Sequence, residues 1–405
     1  MTVIDGEANE SPVADDANLP QSTEADPRAE TDALSTTTAA GSLLPVIRII
    51  PKSAYENPTA KGLAFFARDL VVYGLIIWAL TATDNPLLLV PLWLLSFLAI
   101  SALFIIGHDA AHEALFKSRR LNSVVGHVAF LPSWHVYAAW VLGHNRIHHG
   151  HTVREGMDFV WHPVTPEQYD AMNRFGRLRH KLEWSWIGPG AYYLREIWLN
   201  KMITFDPPAK WAKSIRRDII FMFSFVGLAL ILGGLFGWAT YGSVVGVVWM
   251  DLKILVIPFL GFNFVIGSVV HVHHIQPDIR WYPRREWTKF HGQVEGTTIL
   301  RASWALDLFF HSIMIHVPHH VDMRIPFYGL KPAAEAIKTA FPDVVHDEKL
   351  RFLDFVANSR QCKLYDFENG EWMTYQAAAE MLARTVDGND SLLERKRFSR
   401  GTLVN

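Results

Sequence analysis

Four stretches of the chain are apolar over lengths near the roughly 20 residues that a membrane-crossing helix needs. Residues 86–107 and 219–241 contain no charge at all. Residues 254–270 extend backwards through 244–250 when Asp251 and Lys253 lie near the outer surface. The first stretch, 70–83, reaches spanning length only by taking in 62–67 together with Arg68 and Asp69. The pattern predicts spans at about 62–83, 86–107, 219–241 and 248–270. Turn residues at Thr83-Asp84-Asn85-Pro86 and Tyr241-Gly242-Ser243 divide them into two hairpins, so both termini fall on one side. Residues 123–142 are apolar but broken by His127, Pro132 and His135, and predict a helix dipping into the interface without crossing. Residues 183–202 mix Trp184, Trp186, Tyr192, Tyr193 and Trp198 with charges, as an interfacial helix does.

Charge gives the orientation. Lys117, Arg119 and Arg120 follow span two, and Arg174, Arg177, Arg179, Lys181, Arg216 and Arg217 precede span three. Arg280, Arg284 and Arg285 follow span four, while the opposite loops carry only Asp84, Asp251 and Lys253. The positive-inside rule places the basic segments and both termini in the cytoplasm. Residues 1–45 are acidic and rich in Ala, Ser and Thr, and are expected as a disordered tail. Residues 46–340 are expected as the membrane domain and 341–405 as a cytoplasmic C-terminal tail.

Composition sharpens this picture. Only 19% of the 405 residues are charged, against about 25% in soluble proteins. A net charge of −2 argues against nucleic acid as a partner. A single cysteine, Cys362, excludes a disulfide scaffold, a zinc ribbon and an iron–sulfur cluster within the chain. Histidine is the unusual residue, with eighteen of 19 lying between His108 and His320.

These histidines cluster at predicted cytoplasmic helix ends. Box one is His108-Asp109-Ala110-Ala111-His112, whose i,i+4 spacing puts two imidazoles on one helix face. Box two is His144-Asn145-Arg146-Ile147-His148-His149, and box three is His316-Val317-Pro318-His319-His320. His271-Val272-His273-His274 closes span four, and His311 stands just before box three. Nine or so imidazoles exceed the four that one metal takes and suit two metals with open positions. Neutral imidazole serves iron, copper and zinc, whereas magnesium and calcium prefer oxygen. His127, His135, His151, His162, His180 and His291 are expected to be structural or to support the ligands without binding metal. Asp109, Glu113, Asp158 and Asp307 are candidates to orient the ligands.

The three boxes resemble those of the integral-membrane fatty acid desaturase superfamily, which also includes alkane hydroxylases and carotenoid oxygenases. The resemblance covers about residues 60–340 and is nearest to methyl-end desaturases of the delta-12 type. Arg324-Ile325-Pro326-Phe327-Tyr328-Gly329-Leu330 after box three, His273-His274-Ile275-Gln276-Pro277-Asp278-Ile279, and Glu155-Gly156-Met157-Asp158-Phe159-Val160-Trp161 also look like that family. It implies an all-α integral membrane fold, four transmembrane helices under a cytoplasmic helical cap that holds a histidine-rich dimetal site. It also implies two non-haem irons, O2 as co-substrate, a long acyl chain carried on a lipid or thioester, and a cis double bond as product. With no donor domain visible, electrons are expected from a separate ferredoxin- or cytochrome-like protein.

The expected ligands are His108, His112, His144, His148, His149, His274, His316, His319 and His320, with His271 or His273 as substitutes for His274 and His311 left open. Two residues depart from the delta-12 pattern. Box two has three residues between His144 and His148 where two are usual, a spacing common in hydroxylating relatives, and Val153 stands where Asn often follows Thr. The alternative readings are a di-iron hydroxylase or ketolase of an alkyl or carotenoid substrate, a zinc-dependent membrane hydrolase, and a haem-binding electron-transfer protein.

Overall fold

The structure is a computed structural model, and it describes residues 41–384. Of the expected acidic tail, residues 1–40 lie outside the described residues. Four helices are long and apolar enough to cross a membrane: α1, Thr59–Thr81; α2, Pro86–Ala111; α3, Ala209–Tyr241; and α4, Val244–His274. Local chemistry sets their ends. Asn85 caps α2 by accepting from Leu87 N, and Pro86 at the first helical position needs no hydrogen-bond acceptor. Gly242 ends α3 in the left-handed conformation at φ 63°, and Ser243 caps α4 by accepting from Gly246 N.

The helices pair as α1 with α2 and α3 with α4, and α2 packs on α4 at the centre. The central two bury about half of their most apolar windows, the flanking two about a sixth. Side chains such as Leu87, Trp78, Leu235 and Phe236 therefore point outwards. Large exposed apolar surface of this kind is stable only in lipid. The inner helices carry the histidines: His108 sits in the last turn of α2, His271, His273 and His274 in the last turn of α4.

A cap built from the segments after α2 and after α4 covers that end. The apolar stretch at 123–142 is split into helices Arg119–Phe130 and Tyr137–Trp140. The longer has 12 residues, about 18 Å, and falls short of a roughly 30 Å hydrocarbon core. Strand β1, Thr298–Arg301, pairs in parallel with β2, His346–Lys349, so the largely helical chain carries a little sheet. The segment after residue 340 packs back on the cap, where Tyr365 is fully buried and its hydroxyl accepts from Trp281 N at 2.8 Å.

Candidate metal centre

Boxes one to three and the end of α4 converge on one buried spot. Box one uses α-helical spacing, and the His108 and His112 ring centroids lie 4.6 Å apart. Box two winds differently. Val141–His148 is a π-helix, closed by a bond from His149 N to His144 O. In an α-helix, positions five apart point about 140° away from each other. The i→i+5 closure brings them onto one face instead, and the Nε2 atoms of His144 and His149 lie 3.2 Å apart. Box three forms the short helix α5, His316–Val321, anchored by the bond from Leu300 N to Met314 O.

Eight imidazoles fall into two adjacent groups: His108, His112, His144, His149 and His319, and His148, His274 and His320. The ring of His149 stacks on that of His320 at 4.3 Å, which joins the groups. His316 lies outside both but beside the second, with its centroid 4.6 Å from that of His320. Among the residues left open, His274 joins the second group, and His273 stacks on His316 at 3.8 Å. His271 sits apart against Trp161 and Phe355. His311 instead pairs with Asp69 at 2.7 Å.

The donor set fits metal ions. Second nitrogens decide where the lone pairs point. His148 Nδ1 faces Asp158 Oδ1 at 3.0 Å, His274 Nδ1 faces Gly296 O at 2.9 Å, and His320 Nδ1 faces Gln293 Oε1 at 2.9 Å. Each acceptor fixes the proton on Nδ1 and leaves Nε2 as a lone pair. Accordingly the Nε2 atoms of His274, His319 and His320 are buried without a hydrogen-bond partner. His108 Nδ1 likewise faces Asp109 Oδ1 at 3.0 Å, while its Nε2 lies 2.9 Å from His144 Nε2 and 3.3 Å from His112 Nε2. Two nitrogens each about 2.1 Å from one ion sit about 3.0–3.4 Å apart. Burial, reinforced by neighbouring imidazoles, pushes His112, His144, His149, His316, His319 and His320 well below the usual imidazole range. They stay neutral, as ligands must.

Of the carboxylates expected to orient ligands, Asp109 and Asp158 do so. Asp109 also accepts from Phe327 N at 2.6 Å, and Asp158 from Val153 N and Val160 N. Glu113 pairs with exposed Arg119, and Asp307 binds Ser312 N and Lys331. Thr152 and Gln293 touch His320 and the backbone of His148 and His149; Thr152 lies three residues past box two, whereas nothing in the sequence neighbourhood of Gln293 flags it. Val153 holds φ 51°, a conformation where Asn is enriched and a β-branched residue is strained.

The histidines expected to be structural have partners of their own. His127 binds Asp218, His135 meets the Tyr193 hydroxyl, and His151 meets Arg154. His162 accepts from Gly156 N, His180 binds Tyr375, and His291 binds Glu295.

An apolar cavity opens onto the two groups. Phe104, Trp140, Ile197, Ile266 and Val269 are among its walls, and His108, His144, His148 and His274 also line it. Among the described residues, Lys201 is the only Lys, Arg, Asp or Glu in its lining.

Residues 84–347 match the family model described as fatty acid desaturase. The chain is 30% identical over 332 residues to the sn-1 oleoyl-lipid 12-desaturase of Picosynechococcus sp., covering 80% of this chain and 90% of that one. It is 28% identical over 335 residues to the protein of the same name from Anabaena variabilis, with the same coverage. A Nostoc sp. protein named sn-1 acyl-lipid omega-3 desaturase (ferredoxin) is 29% identical over 303 residues, covering 73% and 80%.

Proposed function

The chain belongs to the fatty acid desaturase family, and from that premise we propose that this membrane-embedded fatty acyl desaturase works through two irons, O2 and an external one-electron donor. The observation that carries the reading is the pair of facing histidine groups beside an apolar cavity. His108, His112, His144, His149 and His319 hold one ion; His148, His274, His320 and His316 hold the other. With O2, the bound irons supply the oxidising power to take two hydrogens from unactivated methylenes, which no side chain possesses.

The chain's own residues do the rest. Asp109, Asp158, Gln293 and the Gly296 carbonyl keep the ligating nitrogens unprotonated and aimed. Phe104, Trp140, Ile197 and Ile266 bind the acyl tail and keep water from the reacting carbons. The substrate is a long acyl chain on a membrane lipid, and the double bond is cis and beyond C9, in line with the oleoyl-lipid relatives. The donor is a ferredoxin-like protein, in line with the Nostoc relative. Residues 46–340 form the desaturase domain and 341–405 a cytoplasmic C-terminal region. The active site faces the cytoplasm, supported by the basic residues around the cap.

The test is lipid analysis of a host expressing wild type and His319→Ala side by side, with ferredoxin and its reductase supplied. Host acyl chains lighter by two mass units only with wild type support desaturation. A gain of 16 units would make the protein a hydroxylase. One zinc and negligible iron in active protein would overturn the di-iron assignment.

A further inference from the structure

Outside the histidine groups, a basic surface lies beside the end of box two. Residues 151–157 and 280–290 carry Arg154, Arg280, Arg284, Arg285 and Lys289 against Glu155 and Glu286. The two segments are joined by main-chain bonds from Tyr282 N to Val153 O and from Glu155 N to Tyr282 O. Arg284, Arg285 and Lys289 are exposed. In their midst is a half-buried indole. The Arg154 guanidinium lies 5.5 Å from the Trp287 ring centroid, and the His151 ring lies 5.8 Å from it.

The indole is wired inwards. Trp287 Nε1 donates to Thr152 O at 2.8 Å, and Thr152 Oγ1 lies 3.2 Å from His320 Nδ1. Gly292 makes room for this contact, since a Cβ there would stand 2.9 Å from Trp287 Nε1 and 3.0 Å from Thr152 O. A surface that merely held lipid headgroups would need the cations but not the aromatic link to a metal-binding imidazole.

We propose that Arg154, Arg284, Arg285 and Lys289 around Trp287 form the docking surface for an acidic one-electron iron–sulfur protein, with Trp287 and Thr152 carrying its electrons to His320. The proposal rests on the desaturase reading with an external donor. In each encounter the reduced iron–sulfur cluster is oxidised by one electron. Two encounters, together with two protons and the two substrate hydrogens, reduce one O2 to two waters. Charge complementarity speeds such encounters and makes them salt-dependent.

The experiment uses the full chain in phosphatidylcholine nanodiscs with purified acidic plant-type [2Fe–2S] ferredoxin as probe. Binding is measured at low and high salt for wild type, for R284E/R285E/K289E, and for K213E/R216E on another basic surface. The expected result is at least a 10-fold loss of affinity and loss of salt dependence in the triple variant only. Trp287→Phe, which keeps an aromatic ring and loses the N–H donated to Thr152 O, should accept electrons from saturating ferredoxin several-fold more slowly relative to its own reduction by dithionite. Wild-type binding by the triple variant, or equal loss in K213E/R216E, would overturn the proposal. So would a triple variant that loses only its binding of anionic phosphatidylglycerol vesicles, which would make the patch a lipid contact. Absence of ferredoxin binding to a wild type that desaturates with dithionite would remove the docking surface and leave the desaturase reading standing. Absence of iron and of double bonds with either reductant would remove that reading itself.

Discussion

Helix α4 buries polar side chains near both ends: Lys253, with no exposure, and His273 and His274 at 1% each. About 21 residues separate them, roughly 30 Å of helix, or one hydrocarbon core. At the Lys253 end the ammonium and the Asp84 carboxylate are answered, although Asp251 Oδ1, two residues earlier, is buried without a partner. Lys253 Nζ donates to Thr83 O, Asp84 Oδ1 and the Tyr241 hydroxyl, while Tyr241 and Trp249 donate to Asp84. Burial alone would raise the Asp84 carboxyl, but these hydrogen bonds bring it down to about 2. At the histidine end, the His108 Nε2 lies 2.9 Å from that of His144 and 3.3 Å from that of His112, and the Nε2 atoms of His274, His319 and His320 are buried without a partner. A buried network whose partners are complete ties helices together; one left incomplete is built for a ligand.

The largest expected effect breaks the incomplete end. His319→Ala should cut double-bond formation more than about 100-fold, beyond the about 10–100-fold typical for loss of a group that merely orients a ligand. Insertion in the membrane and cooperative unfolding should persist, checked by lipid mass analysis and thermal unfolding in detergent. Asp158→Asn acts one step further out, freeing the His148 tautomer. It should weaken iron retention about 10–100-fold in a chelator titration.

Acid separates the two ends next. His112, His144, His149, His316, His319 and His320 stay neutral in the folded protein but protonate near 6.5 once unfolded. The unfolded chain then binds more protons. Metal-free protein should keep its full stability above pH 6.5 and lose it below, with a slope of at least about 1.4 kcal/mol per pH unit. A flat profile from pH 7.5 to 5.5 would contradict the burial of neutral imidazoles.

At the complete end, Asp84→Ala strands the buried ammonium and should cost about 1–2 kcal/mol. This is less than the about 3–5 kcal/mol of a fully buried pair, because the Asp84 side chain is half exposed. Lys253→Met removes the charge itself and should fall within about 1 kcal/mol of wild type. Both variants should desaturate normally per folded molecule.

Much of this was legible in the sequence for simple reasons. A spanning helix must be apolar for about 20 residues, so the four runs stand out, and imidazoles gathered at helix ends stand out against an apolar background. What stayed hidden depends on long-range packing. Asp69 was only a charge weakening the first span, yet it meets His311 across 242 residues. Gln293 orients His320 from a segment with no motif. The choice among His271, His273 and His274 turns on helix phase near the end of α4, which no spacing rule resolves. Tyr365 lies in a segment read as a charged tail, yet it is buried against Trp281, Phe367 and Trp372.

The winding of box two changes what an insertion means in this family. A helix that closes its bonds one residue later absorbs one extra residue while leaving the flanking chain in register. An α-helix brings residues four apart onto one face; this segment brings His144 and His149, five apart, together through the bond from His149 N to His144 O. The number of residues between His144 and His148 therefore reports how tightly the backbone is coiled there.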